Sequence, residues 1–153
     1  MPIPSSQRPY SSLSAAEVVA RLDLAPHPEG GFYRETWRDQ PADDTKRGHG
    51  TAIYFLLPGG VENRWHRVDA VEIWHHYAGA PLELRLGHHQ PVADETLLLG
   101  PDLAARQRPQ GIVPVDAWQS ARSLGDWTLV GCTVCPAFQF EGFRMLEPPT
   151  DVS

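Results

Sequence analysis

GVENRWHRVDAVEIWHHYAG, running from Gly60 to Gly79, is the stretch that decides how this chain folds. His66 lies six residues after Gly60, Glu72 six further on, and Gly79 seven beyond that. Along a strand, side chains alternate between the two faces of a sheet. Glu72, Trp74 and His76 therefore share one face, and His66 joins them if the count survives the turn near Asp69. His75 and Tyr77 point the other way. An acid, an indole and an imidazole in one inward row make poor core. They suit a cavity wall, where a few polar groups converge within an aromatic lining.

Outward from this stretch the pattern stays strand-like. Phe32–Trp37, Thr51–Leu57, Arg64–Val68, Glu72–Tyr77, Leu82–Leu86, Thr96–Leu99, Gln110–Val113, Trp118–Ser120, Thr128–Val134 and Phe138–Met145 are short, β-rich segments separated by Gly, Pro or Asp. Many short strands at this spacing predict a sandwich or barrel. GHHQPVADE reads as a hairpin tip, with His88 and His89 as solvated turn residues. Before the strands, Ser14-Ala15-Ala16-Glu17 is a capping box, and Val18, Val19 and Leu22 share an apolar face. One helix over Ala15–Leu22 follows, ended by Pro26 and Pro28.

The Gly60–Gly79 spacing resembles the first motif of the cupin superfamily: Gly, five residues, His-x-His, three or four residues, Glu, six residues, Gly. Gly60, His66, Glu72 and Gly79 match it, and Val68 replaces the second His. The second cupin motif is weaker: Pro114 is kept, while Asp116 and Gln119 stand for its Gly and His. A narrower resemblance rests on Leu24–Arg38, Thr51–Leu57, Trp65–Leu82, Leu99–Leu103, Pro109–Ala121 and Leu129–Met145. These blocks are similar to a small cupin family labelled a domain of unknown function, or predicted sugar epimerase. The resemblance implies an all-β, jelly-roll-like barrel of two antiparallel sheets with a short N-terminal helix, assembled as a homodimer.

Length and composition bound the rest. The 153 residues predict a single domain over 13–146, with flexible segments over 1–12 and 147–153. A chain of this size can bury ~68–70% of its unfolded surface without staples. No long apolar run suggests a membrane span, and the start has no apolar core of a secretory signal. The net charge is −6 and Lys46 is the only lysine, so no basic face offers itself to nucleic acid. Cys132 and Cys135 lack the second pair a zinc site wants and read as strand residues, which fits a cytoplasmic protein.

Three functions compete. The leading one is a metal-independent epimerase or isomerase of a sugar or related carbonyl compound, working by acid–base proton transfer. It needs groups that titrate near neutrality. The candidates are His66, His76 and Glu72, with Tyr54 as acid and Tyr33 as its rival. Trp74, Arg34, Tyr33, Gln119 and Thr51 are the expected ligand-binding residues, Arg34 because its fork matches a carboxylate or phosphate. Arg34 is equally suited to a salt bridge with Glu29 or Glu35. The second function is a metal-dependent dioxygenase or lyase holding a divalent transition metal through His66, Glu72 and Gln119. No cofactor is the favoured reading, because two imidazoles of the family's ligand set are replaced. The third is a ligand-binding dimer without turnover.

Overall fold

The computed structural model describes residues 12–146. The arm expected over 1–12, apart from Ser12, and the tail over 147–153 lie outside the described residues. In chain order come α1 (Ala15–Leu22), β1 (Ala25–Pro26), β2 (Phe32–Arg38), β3 (Thr51–Pro58), β4 (His66–Val68) and β5 (Val71–Gly79). They are followed by β6 (Leu82–Gly87), β7 (Glu95–Leu99), β8 (Gln110–Val113), β9 (Trp118–Ser123), β10 (Trp127–Cys135) and β11 (Phe143–Met145). Among the described residues, no helix is long and apolar enough to cross a membrane.

The strands form two antiparallel sheets, one ordered β1-β2-β3-β10-β5-β8 and the other β11-β4-β9-β6-β7. Their facing sides enclose Phe55, Leu57, Trp74, Leu84, Leu99 and Val130. Helix α1 lies outside the first sheet. The Ser14 hydroxyl accepts from the Glu17 N–H at 3.1 Å and the Glu17 carboxylate accepts from the Ser14 N–H at 3.2 Å, so the capping box closes as the sequence implies. Val18 then packs with Leu56, Trp127 and Leu129 on the sheet's outer side.

The register of β10 fixes which side chains meet inside. It sets Val134 opposite Glu72, Cys132 opposite Trp74 and Val130 opposite His76, with a bulge between Leu129 and Val130. Tyr77 and Ala78 thereby both turn outward, and His76 is the last inward residue of β5. Gly79 closes the motif because its φ is +84° and a Cβ there would sit 2.5 Å from the Trp127 carbonyl oxygen. Asp116, in the place of the second motif's glycine, adopts φ +63°, a conformation that Asp tolerates better than most residues.

Two segments differ from the sequence reading. Phe138–Met145 is a 3₁₀ turn at Phe140–Gly142 followed by the short β11. The rings of Phe138, Phe140 and Phe143 all touch one another, at centroid distances from 5.0 to 6.4 Å. A straight strand would put Phe143 on the opposite face from the other two, so packing bends the chain. Ala25–Pro26, read as a break, instead pairs with Phe32–Tyr33 at the sheet edge, where a proline costs no ladder bond.

Candidate functional site

The loop before β2 builds the site. His27-Pro28-Glu29-Gly30 forms a turn in which the Gly30 N–H donates to the His27 carbonyl at 3.0 Å, with Pro28 in the second position that such turns favour. Gly31, at φ +87°, brings the backbone so near β3 that a Cβ would lie 2.8 Å from the Leu56 carbonyl. The His27 N–H donates back to the Gly31 carbonyl at 2.9 Å, and the Arg64 N–H to the Glu29 carbonyl at 2.8 Å. This stitching drives the Glu29 side chain between the sheets, where it is 7% exposed.

Inside, Glu29 meets His66. The carboxylate lies 3.0 Å from Nε2 of His66, and its other oxygen accepts from the Asn63 amide at 3.3 Å. Nδ1 of His66 lies 2.7 Å from the Arg64 carbonyl, an acceptor only, so this nitrogen carries a proton. Burial opposes charging His66, but Glu29 and, more weakly, Glu72 overcome it and raise its pKa to about 9. Burial likewise acts to raise Glu29, and the His66 cation overcomes that and holds it below the usual carboxylate range.

Glu72 closes the network. It accepts from the Gln119 amide at 2.7 Å, and the Gln119 oxygen accepts from the Trp74 indole N–H at 2.8 Å. Cys132, its thiol kept protonated chiefly by burial, also bonds to Glu72. Burial is the main reason that Glu72 rises to about 7, against the pull of His66. The interior therefore holds one firm ion pair beside a carboxyl that titrates near neutrality.

A cavity of about 290 Å³ opens beside this network. Thr51, Ile53, Tyr33, Val134, Phe138 and His27 line its inner part, and Asp23, Ala25, Arg34, Glu35 and Phe140 its exposed rim. That volume lies at the small end of ligand pockets, about 300–1,000 Å³, and suits a single ring. His27 joins the cavity to the buried pair. Its ring meets Tyr33 edge-on at 4.5 Å and also touches Phe55 and Phe143, and Phe143 in turn lies against His66.

A family model described as the cupin superfamily (DUF985) matches residues 16–146. The chain belongs to that family. This cupin is 37% identical to the protein SO0799 from Shewanella oneidensis, with a TM-score of 0.81 over 88% of this chain and 85% of that one. A hypothetical protein from Leishmania major is 28% identical, at TM-score 0.78 and 88% of each chain. KdgF from Halomonas, at 15% identity, TM-score 0.56 and coverage of 74% of this chain and 87% of that one, shares the fold. No curated protein matches the chain.

The cupin's expected site residues separate into three groups. His66, Glu72, Trp74 and Gln119 come together, but in the buried network and not on the cavity wall. Tyr33, Arg34 and Thr51 line the cavity. His76 and Tyr54 require correction. The His76 Nε2 lies 3.0 Å from the Ala80 carbonyl at the far end of β5, because the bulge ends the inward row there. Tyr54 stands on the outer face of β3, edge-on to Tyr77 at 6.4 Å, since Ile53 and Phe55 take the inward positions. Arg34 pairs with neither Glu29 nor Glu35; Glu35 is gripped by both forks of Arg38 at 2.8 and 2.9 Å.

The sequence reading passed over Asn63 and took Glu29 only as a salt-bridge partner of Arg34. A usable signal was an acid directly before two glycines, where the backbone can fold tightly enough to turn that acid inward.

The family's metal chemistry does not fit these residues. Both His66 nitrogens are engaged, one by Glu29 and one by a carbonyl, so no lone pair faces a metal. The Gln119 oxygen is taken by Trp74, and Val68 packs with Ala70 and Val134 where a second imidazole would stand. Among the described residues, no three His, Cys, Asp or Glu are arranged as a metal site.

Proposed function

We propose that this cupin binds a small hydroxylated carbonyl compound, such as a sugar, in the barrel-mouth cavity and isomerises it by proton transfer. The observation that carries this reading is the cavity wall itself. An imidazole (His27), a phenol (Tyr33) and a carboxylate (Glu35) share one small aromatic-lined space. Proton removal next to a carbonyl needs a base and a group to steady the charge that develops on oxygen. Glu35, held in place at the rim by Arg38, takes the first role, and the His27 and Tyr33 side chains face the oxygen. Arg34 at the rim fits a carboxylate on the ligand. The buried Glu29–His66 pair acts as support and touches no ligand.

The test is proton exchange in D₂O, followed by NMR on a panel of aldoses, ketoses and uronic acids. At least one member should lose its proton signal next to the carbonyl, and Glu35→Gln should slow that loss ~10²–10⁴-fold. Binding without exchange across the panel would make the protein a binding module.

A second copy of the chain is the proposed partner, docked on the outer face of the first sheet. Tyr77 is 54% and Ile112 58% exposed there, beside His75, which stacks on Tyr77 at 6.3 Å. Sedimentation should give a dimer at micromolar concentration, and Tyr77→Arg should shift it to monomer. A monomeric parent protein would remove this proposal.

A further inference from the structure

Nδ1 of His27 accepts a hydrogen bond from the backbone N–H of Glu29, two residues on, at 3.1 Å. An atom that accepts from a backbone N–H cannot itself carry a proton. The Glu29 carboxylate lies 3.9 Å from the same nitrogen, beyond hydrogen-bond reach, so it does not displace the backbone N–H there. The remaining proton of a neutral imidazole therefore sits on Nε2. Among the described residues, no protein group bonds to Nε2, and Nε2 is not among the buried atoms left without a partner. Nε2 therefore keeps some exposure, and the His27 side chain lines the cavity.

We infer that His27 is the group that grips the ligand's oxygen, presenting a fixed Nε2–H into the cavity because the Glu29 backbone N–H occupies Nδ1. Burial, with the nearby His66 cation adding to it, outweighs the pull of Glu29 and lowers the His27 pKa, so the ring stays neutral. A neutral imidazole that can only donate polarises a carbonyl oxygen, or holds a hydroxyl, without giving up its proton. The two roles of the Glu29 residue are thus separate. Its backbone sets the tautomer of His27, and its carboxylate neutralises His66. The inference rests on the cavity being the ligand site, but it does not require that the ligand be turned over.

The experiment is NMR of the ¹⁵N-histidine-labelled full chain at pH 7, with the His27 signals assigned by comparison with His27→Phe. The expected spectrum shows His27 neutral, with Nε2 protonated and Nδ1 bare. Adding D-glucuronate, which offers ring hydroxyls, a carbonyl and a carboxylate, should move the Nε2 signal. Its affinity should fall ~10-fold in His27→Phe and recover in part in His27→Gln, which keeps a donor. A His27 protonated on Nδ1, or on both nitrogens, would overturn the inference. So would a probe that shifts other cavity residues and leaves Nε2 unmoved. Failure of proton exchange in D₂O with this tautomer intact would sink the isomerase reading alone.

Discussion

Glu29→Ala is expected to lower the melting temperature by roughly 10 °C or more, because removing one partner of a buried ion pair typically costs 3–5 kcal/mol. The loss falls on His66, which is 2% exposed and has no second acid directly bonded to it. Its proton must then leave, or the imidazolium must stay buried without a counter-charge. Glu29→Gln should cost less, since the amide keeps the shape and can still meet Asn63. His66→Gln placed in the Glu29→Gln background should cost far less than the two single losses added together, because the charge conflict is already gone. Thermal melts of Glu29→Ala, Glu29→Gln, His66→Gln and the double Gln variant measure this. Simple additivity would mean that the pair is not coupled.

Stability should also fall as pH rises from about 6.5 to 9, the window between the unfolded and folded values of His66. The folded chain holds the His66 proton across that window while the unfolded chain releases it, so the contribution is complete below 6.5 and gone above 9. Glu72 adds the same sign earlier, between its ordinary 4.5 and about 7, since the folded state again keeps the proton longer. Glu29 and His27 act in the opposite sense. Glu29, held below 4.5, loses its stabilisation as pH falls through its folded value. His27, lowered from 6.5, resists the charging that acid imposes on the unfolded chain. Stability therefore peaks on the mildly acidic side of neutrality. On the alkaline side the His66 shift is worth on the order of 3 kcal/mol, or roughly 5–10 °C for a domain of this size. Melts at pH 6.5 and pH 9 test it, and a flat profile would contradict the buried cation.

The fold was legible because its signals were local. Ser14 and Glu17 marked the start of α1, the Gly60–Gly79 spacing gave β4 and β5, and period-two alternation placed Glu72 and Trp74 inward. The candidate site was legible only in part. Parity says which face a residue takes, not how far along the barrel its tip ends. His66, Glu72 and Gln119 were therefore grouped correctly but assigned to the cavity, when each satisfies a neighbour instead. His76 shares their parity and still lies apart, because a single bulge in the pairing is invisible in sequence. Glu29 and His27 reach the site from a loop distant in sequence from the motif, carried there by the two glycines after them. Such long-range meetings have no periodicity to betray them.

The most direct test is the protonation state of His66 at neutral pH, read from its two ring nitrogens in the ¹⁵N-histidine spectrum. Both should be protonated at pH 7 and lose a proton only near pH 9. A His66 with one bare nitrogen at pH 7 would contradict this, leaving a lone pair free for a metal and Glu29 without its partner.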